Sequence, residues 1–321
     1  MYKFFLERFL RVRARLVPRR TLLNLYVKMT ALFFVLTGLL MLVGYAIGLY
    51  FNDPLPFMLL GLVFAGGINF ASYFWSDKIV TRMSGAKMIQ ESDNPTLYGA
   101  VRKVANEARI PMPRVGIVNS PQPNAFATGR GPGKAVVVAT SGILNVLSPT
   151  ELEAVIAHEM GHVVHRDVLM SSVAATIAGV ISFVGNIALW SMMFGGYGGN
   201  GRNGGNPLIL VAAIVLVPLG ATFVRLGISR SVEYNADEYG AKLTHNPGAL
   251  ASALVKISSM PKVRRNPKGG AAGPSPATAS LWIVNPFSGG SLVELFSTHP
   301  STQHRVERLR KVGEQIGVYV P

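Results

Sequence analysis

Residues 154–167, AVIAHEMGHVVHRD, contain two histidines and a glutamate in the order H-E-x-x-H. In a helix, His158 and His162 lie on one face one turn apart, so both imidazoles can reach the same metal ion. Glu159 then lies beside them, where it can act as a general base on a water molecule. A shuffled chain of this composition would contain this pattern roughly 0.004 times. The motif therefore predicts a catalytic metal centre rather than a buried pair of hydrogen-bonded histidines.

Two histidines leave a catalytic zinc site incomplete, because such a site normally has three protein ligands and one open position. The chain has no cysteine, so the third ligand must be histidine, aspartate or glutamate. Glu233 and Asp237, in SRSVEYNADEYGAKL, are four positions apart and share one face of a predicted helix. Glu233 can bind zinc, while Asp237 can accept the free N–H of a ligand histidine and orient its ring. The spacing alone is weak evidence, and His165 stays an alternative but strained ligand.

Long uncharged stretches predict a membrane protein. The chain of 321 residues is 49% hydrophobic and 15% charged, whereas soluble domains usually carry about 25% charged residues. Residues 29–51 and 57–75 are apolar, long enough to cross a bilayer as helices, and separated by a short break. Gly44 and Gly48 would let a neighbouring helix approach closely. We therefore predict a transmembrane hairpin of two spans over residues 29–75.

Two later hydrophobic segments are less regular. Residues 168–194 are uncharged but contain several hydroxyl side chains, and residues 208–228 contain a proline and an arginine. A Gly/Asn-rich connector joins them, which predicts a second hydrophobic hairpin over 168–228. The two segments either span the membrane or are partly buried against protein. Two crossings would return Glu233 to the side of the membrane that carries His158, as a shared metal site requires.

Basic residues are concentrated ahead of the first hydrophobic segment. The net charge of the chain is +15, and residues 1–28 hold eight basic side chains against one acid. By the positive-inside rule this block predicts a cytoplasmic N-terminus in an inner cell membrane, either as an amphipathic helix on the lipid or as a solvated tail. No nucleic-acid recognition motif accompanies the charge, so the expected partner is the lipid bilayer and not nucleic acid.

The remaining segments, 76–167 and 229–321, predict one metallopeptidase domain with a small β-sheet. The fold class is therefore α+β, mainly helical, with about four transmembrane helices. The segment NPTLYGAVRKVANEARI predicts a helix, and RVGIVN and KAVVVAT predict strands because they are rich in β-branched residues. A capping box of Ser148 and Glu151 predicts that another helix begins just before the histidines. Residues 263–290 are rich in Gly, Pro, Ser and Ala and predict a long loop.

Four separated motifs, HEMGH, SRSVEYNAD, NAFATG and STHPSTQHR, resemble those of the HtpX-type membrane zinc metalloproteases, which are relatives of the CAAX prenyl proteases. The resemblance covers nearly the whole chain and keeps the order of the motifs. It implies a gluzincin-like site with one zinc ion per chain, held by His158, His162 and Glu233. It also implies a cytoplasmic catalytic domain that cleaves membrane proteins in quality control, with Asn124 and His299 close to bound substrate.

Each of these further residues has a chemical role and a simpler alternative. Asn124 lies next to a predicted edge strand that can align an extended peptide, or it is only a turn residue. His299 can donate a hydrogen bond to the oxyanion, or it lies on a surface loop. Arg305 can orient this segment or bind a substrate carbonyl, or it is an ordinary charge at the start of a helix.

The predicted function is a membrane-embedded zinc endopeptidase that cleaves misfolded or damaged membrane proteins, and other proteins, at the cytoplasmic face. Two other classes remain open. A site-specific CAAX-type processing protease would cut each substrate at one fixed bond. A non-enzymatic membrane protein with a structural zinc would close the metal site with a fourth protein ligand.

Overall fold

The computed structural model describes residues 19–194, 230–261, 282–283 and 300–320, and this part of the chain is mainly helical with one small sheet. The helices are α1 (Arg19–Tyr50), α2 (Pro54–Phe74), α3 (Ser76–Met83), α4 (Pro95–Glu107), α5 (Ser141–Val146), α6 (Pro149–His165), α7 (Asp167–Phe194), α8 (Arg230–Thr244), α9 (Pro247–Ser259) and α10 (Thr302–Ile316). The strands are β1 (Lys87–Met88), β2 (Arg114–Val118), β3 (Ala125–Thr128) and β4 (Val136–Thr140).

Helices α1 and α2 form the first predicted hairpin. Among the described residues, Tyr26–Leu49 and Pro54–Phe74 are the helical segments long and apolar enough to cross a membrane. The two helices pack at glycines: a Cβ atom on Gly44 would lie 2.2 Å from the carbonyl oxygen of Phe57. A Cβ atom on Gly48 would overlap the main chain just after the turn. The close approach predicted from this glycine pair is therefore confirmed.

The third predicted hydrophobic segment forms helix α7. Its first half packs against α1, and Leu36 and Val173 belong to one buried apolar cluster. Helix α7 has 28 residues, and its crossing of the membrane stays a prediction. The fourth predicted segment, 208–228, lies outside the described residues, so the total of four transmembrane helices stays a prediction.

The sheet has the strand order β1-β2-β4-β3. Strand β1 is antiparallel to β2, β2 is parallel to β4, and β3 is antiparallel to β4. Successive side chains of a strand point to opposite faces, so Val136 and Val138 pack towards α3 and α7, while Val137 and Ala139 pack towards α4 and α6. The predicted strands RVGIVN and KAVVVAT correspond to β2 and β4, and β3 forms an edge of the sheet.

The predicted helix starts are confirmed. The side chain of Asn94 accepts the N–H of Leu97 at 2.9 Å and caps α4. Helix α6 begins with the predicted capping box, because Ser148 Oγ accepts the N–H of Glu151 and the Glu151 carboxylate accepts the N–H of Ser148. Helix α6 thus has a defined start, and the H-E-x-x-H residues follow within the same helix.

One apolar core contains residues from both 76–167 and 229–321, the two parts of the predicted catalytic domain. Helices α4 and α6 come from the first part, and α8, α9 and α10 come from the second. Val104, Val155, Leu254 and Leu309 are fully buried where these helices meet. The core therefore brings α6 and α8, which carry the predicted metal ligands, into contact.

Candidate metal centre

Helices α6 and α8 cross closely because glycine lies at the contact from each side. A Cβ atom on Gly240 would be 2.8 Å from the main-chain nitrogen of His158. A Cβ atom on Gly161 would be 3.1 Å from Cα of Ala236. Real Cβ atoms do not fit at the first of these distances. The absence of side chains at the crossing thus allows Glu233 to reach the two histidines.

The side chains of His158, His162 and Glu233 converge. Within the described residues, their potential ligand atoms lie within 4.8 Å of one another. One carboxylate oxygen of Glu233 is 3.5 Å from Nε2 of His162, and the other is 3.9 Å from Nε2 of His158. Ligands that bind tetrahedral zinc at about 2.0 to 2.1 Å are about 3.3 Å apart, so small side-chain movements suffice. Two imidazoles and a carboxylate are a donor set that fits zinc.

The ring of His158 is oriented by Asp237. Oδ1 of Asp237 lies 2.9 Å from Nδ1 of His158, so the Nδ1–H group donates to the carboxylate. Nε2, the other ring nitrogen, is then left without a proton and is directed towards Glu233, as a metal ligand requires.

The surroundings of His162 favour positive charge. Burial by itself would lower the pKa of His162, but the acidic side chains of Asp167, Glu233 and Glu159 raise it to about 9. Asp167 Oδ2 is 3.9 Å from Nδ1 of His162. Because these neighbours stabilise a proton on the ring, they also favour a cation bound in its place.

The charges of the buried side chains also fit a divalent cation. Glu159, Glu233 and Asp237 are buried carboxylates, and Arg305 is a buried guanidinium. With neutral histidines, these groups leave two negative charges in an apolar interior. An uncompensated buried charge is unfavourable by several kcal/mol or more. A divalent metal ion would neutralise the site.

Glu159 is held in place by the edge of the sheet. Its Oε2 accepts the main-chain N–H of Ala127 at 2.9 Å, and its Oε1 lies 3.9 Å from Nε2 of His158. Burial raises the pKa of the Glu159 carboxyl, although His158 and His162 oppose this effect. A carboxylate whose pKa is closer to neutrality is better suited to take a proton and return it.

Strand β3 runs beside Glu159. The carbonyl of Asn124 accepts the N–H of Thr140 at the end of β4, and main-chain groups alternate in direction along a strand. The N–H groups of Ala125 and Ala127 therefore point away from β4, and that of Ala127 reaches Glu159. The outer edge of β3 thus faces the predicted metal ligands.

The structure places Asn124 beside the chain segment 282–283. Asn124 is 1% exposed, and its Oδ1 accepts the N–H of Ile283 at 2.9 Å. The side chain therefore holds this segment against the start of β3. The substrate contact predicted for Asn124 stays a prediction.

Arg305 lies inside the protein behind His158. It is 1% exposed, so its interpretation as an ordinary charge at the start of a helix is wrong. Its guanidinium donates to the carboxylate of Asp237 and to the carbonyl of Ile283. The predicted contact of Arg305 with a substrate stays a prediction.

Of the two other candidate histidines, only His165 lies within the described residues. His299 is outside the described residues, so its predicted role stays a prediction. His165 ends α6, and its ring packs edge-on against Tyr239 with 5.4 Å between ring centroids. His165 does not belong to the group formed by the three predicted ligands among the described residues.

Sequence analysis did not identify the main-chain partners of the site. The N–H of Ala127 and the main chain of Ile283 bond to site residues. Almost every residue type carries the same main-chain groups, so the sequence does not indicate which of them take part. Residues 282–283 also fall within a Gly/Pro-rich region that predicts only a loop. The glycines of α6 and α8 were a usable signal, because glycine inside a helix is unfavourable unless close packing requires it.

Comparison with known proteins identifies the family. The model of peptidase family M48 matches residues 91–312, which is more than half of the chain. The chain belongs to peptidase family M48.

Related M48 proteins match almost end to end. A protease HtpX homolog of Pyrococcus furiosus is 47% identical over 296 residues, which cover 92% of this chain and 99% of the relative. A protease HtpX homolog of Aquifex aeolicus is 46% identical over 284 residues, or 87% of this chain and 90% of the relative. These relatives confirm the HtpX-type resemblance, and the protein is a membrane metalloprotease.

A solved structure is also similar. The crystal structure of S. mikatae Ste24p matches with a TM-score of 0.43 and 17% sequence identity, covering 91% of this chain and 67% of Ste24p.

Proposed function

We propose that this M48 protease is a zinc-dependent endopeptidase that cleaves misfolded or damaged membrane proteins at the cytoplasmic face of the cell membrane. In this proposal His158, His162 and Glu233 hold one zinc ion. The observation that carries it is the convergence of their ligand atoms within 4.8 Å, with the carboxylate of Glu159 next to them. A structural zinc would need a fourth protein ligand, and the described residues group only these three.

The residues around the zinc site divide the chemistry of peptide hydrolysis. When bound, zinc supplies Lewis acidity that polarises a carbonyl and lowers the pKa of water from about 15.7 towards about 7. Glu159 takes the proton from the attacking water and returns it to the leaving amine. The Ala127 N–H keeps one Glu159 oxygen fixed, so the other oxygen handles the proton. Asp237 keeps the ring of His158 in the ligating tautomer.

The outer edge of β3 is the proposed binding place of the substrate main chain. An extended peptide can pair with an edge strand through main-chain hydrogen bonds, which are independent of side-chain sequence. Such pairing suits a protease of many damaged proteins. A processing protease with one fixed site would instead need selective side-chain pockets.

Charge around the first hairpin supports the proposed orientation. The turn between α1 and α2 carries Asp53 and no basic residue, whereas Lys78 and Arg82 follow α2 in the exposed part of α3. Basic residues favour the cytoplasmic side. In this arrangement residues 76–167 and 229–321 form the cytoplasmic catalytic domain, and 168–228 form a second membrane hairpin.

The test of this function is Glu159→Gln. Glutamine keeps the shape and the hydrogen bond from Ala127 but cannot accept the proton. The variant should therefore keep about one zinc ion per chain and lose peptide cleavage by roughly 100-fold to 10,000-fold. Zinc content and cleavage of casein and of a membrane protein are measured on purified protein in detergent.

Glu233→Ala should instead lose zinc, while Glu238→Ala is its control, because Glu238 is half-buried on the same helix and pairs with Lys242 away from the three ligands. Cleavage by Glu159→Gln at the wild-type rate would reject Glu159 as the base. Unchanged zinc in Glu233→Ala would reject it as a ligand. Products cut at one fixed bond in every substrate would favour a processing protease.

A further inference from the structure

The guanidinium of Arg305 is buried and makes three hydrogen bonds to Asp237 and the main chain of Ile283. Nε lies 2.8 Å from Oδ2 of Asp237, and Nη2 lies 2.6 Å from Oδ1. Nη1 lies 2.9 Å from the carbonyl oxygen of Ile283. This is a two-point pairing of guanidinium with carboxylate, whose planar geometry restrains both side chains.

The bonds of Arg305 continue to two of the proposed metal ligands. The same Oδ1 of Asp237 that accepts from Arg305 also lies 2.9 Å from Nδ1 of His158. Nη2 of Arg305 lies 3.4 to 3.5 Å from the two ring nitrogens of His158. Nη1 is 3.7 Å from a carboxylate oxygen of Glu233. Arg305 is therefore close to His158 and Glu233, and it also bonds to Asp237, which orients His158.

Electrostatics gives Arg305 a second effect on the site. The guanidinium lies beside the carboxylates of Asp237 and Glu233, so its positive charge offsets part of their negative charge. Without this charge, the buried carboxylates would hold one negative charge more than a divalent ion can neutralise.

We infer that Arg305 is a positioning residue for zinc: through Asp237 it fixes the ring of His158, and it ties this pair to the main chain at Ile283. The inference rests on the proposed zinc site and adds a determinant of its geometry on α10. It assigns Arg305 to the metal, whereas a contact with substrate would place its effect on peptide binding.

The experiment compares zinc affinity, the cobalt spectrum and kinetics. Arg305→Lys keeps the charge but loses the two-point pairing, and Arg305→Gln loses both. Zinc affinity, measured by competition with a chelator, should fall about 10-fold in the first variant and about 100-fold in the second. The visible absorption bands of the cobalt-substituted protein should shift, because they report ligand geometry. With saturating zinc, kcat should fall while KM for a peptide substrate stays within about twofold.

Arg308→Gln is the matched control. Arg308 lies one turn further along α10, is exposed, and packs over the ring of Tyr234 on α8 at 4.3 Å. The Arg308→Gln variant therefore loses a contact between α8 and α10 but keeps the pairing of Arg305 with Asp237. Its zinc affinity and cobalt spectrum should equal those of the wild type.

A variant with both Asp237→Asn and Arg305→Gln separates positioning from a general loss of structure. It removes both charges together, so the carboxylate of Asp237 is not left buried without its guanidinium. If Arg305 acts through Asp237, zinc affinity in the double variant should be no weaker than in Asp237→Asn alone. If the loss of zinc affinity in the double variant equals the product of the losses in the two single variants, the inference is overturned. Wild-type zinc affinity in Arg305→Gln would also overturn it, as would a raised KM with unchanged zinc affinity. Wild-type protein that binds no zinc would instead reject the proposed function itself.

Discussion

Glu151 shows how one residue can stabilise the helix that carries the histidines. Its Oε2 accepts the N–H of Ser148 at 2.8 Å and lies 2.8 Å from Nζ of Lys256, while its Oε1 accepts the hydroxyl of Ser252 at 2.6 Å. Burial opposes ionisation of Glu151, but these donors, led by Lys256, lower its pKa from 4.5 to about 2. The carboxylate thus closes the capping box of α6 and also ties α6 to α9.

The lowered pKa of Glu151 predicts a pH-dependent contribution to stability. A carboxyl whose pKa is lower in the folded state stabilises the protein above the pKa of the unfolded state. This stability disappears as the pH falls through the folded value. Glu151→Gln should lower the free energy of unfolding by about 2 kcal/mol at pH 7. The difference from wild type should shrink between about pH 4.5 and about pH 2, as chemical unfolding of zinc-free protein in detergent would show.

Glu153→Gln is the control for Glu151, because Glu153 lies on the same helix and pairs with the exposed side chain of Lys103 at 2.7 Å. Such a pair contributes less than about 1 kcal/mol. A wild-type minus Glu151→Gln difference that is constant from pH 7 to pH 2 would contradict the assigned ionisation.

At the scale of residues, sequence predicted the groups whose spacing is local. The i, i+4 relation of His158 and His162 follows from helix geometry, as does the capping box at Ser148. The pairing of Asp237 with Arg305 joins residues far apart in sequence, so it depends on how α8 and α10 pack and was not predictable from spacing. The bonds of the Ile283 main chain were unpredictable for the same reason.

At the scale of elements, α6 and α8 cross at Gly240, where there is no room for a side chain. Gly240→Ala would place a methyl group 2.8 Å from the main-chain nitrogen of His158, and main chain cannot move away as a flexible side chain can. The variant should lose about 1 to 3 kcal/mol of stability through overpacking. It should also bind zinc more weakly, because the helices that carry the ligands separate. Thermal unfolding and zinc titration in detergent measure both effects.

Gly99→Ala is the matched control in helix α4. A Cβ atom there meets nothing within 4 Å, and alanine favours a helix over glycine by about 1 kcal/mol. This variant should therefore be as stable as wild type or more stable, with unchanged zinc binding. Equal stability of Gly240→Ala and wild type would show that the helices tolerate a wider crossing.

The predictable elements were those with strong local patterns. Strands β2 and β4 are apolar and β-branched, and helices α4 and α6 have caps, so all four were found from sequence. The two-residue strand β1 is too short to show alternation. Strand β3 was expected only as an edge beside Asn124, because its four residues lie between turn residues and take their conformation from pairing with β4.

At the scale of the whole molecule, the proposed topology places both parts of the catalytic domain on one side of the membrane. The chain has no cysteine, so single cysteines can be labelled without background. We predict that Asp53→Cys in the α1–α2 turn reacts with a membrane-impermeant maleimide in intact spheroplasts. Glu107→Cys and Gln303→Cys, which are also exposed positions, should react only after the membrane is permeabilised.

The cysteine-free wild type and a permeant maleimide are the controls for this experiment, since all three variants should react with the permeant reagent. Labelling of Glu107→Cys and Gln303→Cys from different sides would contradict a domain built from both parts of the chain. Labelling of all three from outside would reverse the proposed orientation.

Only Arg166, in a left-handed conformation with φ of 65°, separates the end of α6 from the start of α7. If α7 enters the bilayer, the six steps along the chain from His162 to Val168 span about 9 Å at a helical rise of 1.5 Å per residue. Lipid headgroups extend roughly 5 to 8 Å beyond the hydrocarbon. Bond cleavage would then take place at the surface of the headgroup layer, at a fixed height. In the membrane, a folded substrate domain held above that height would not reach the site, which favours stretches of chain that have already unfolded next to the lipid.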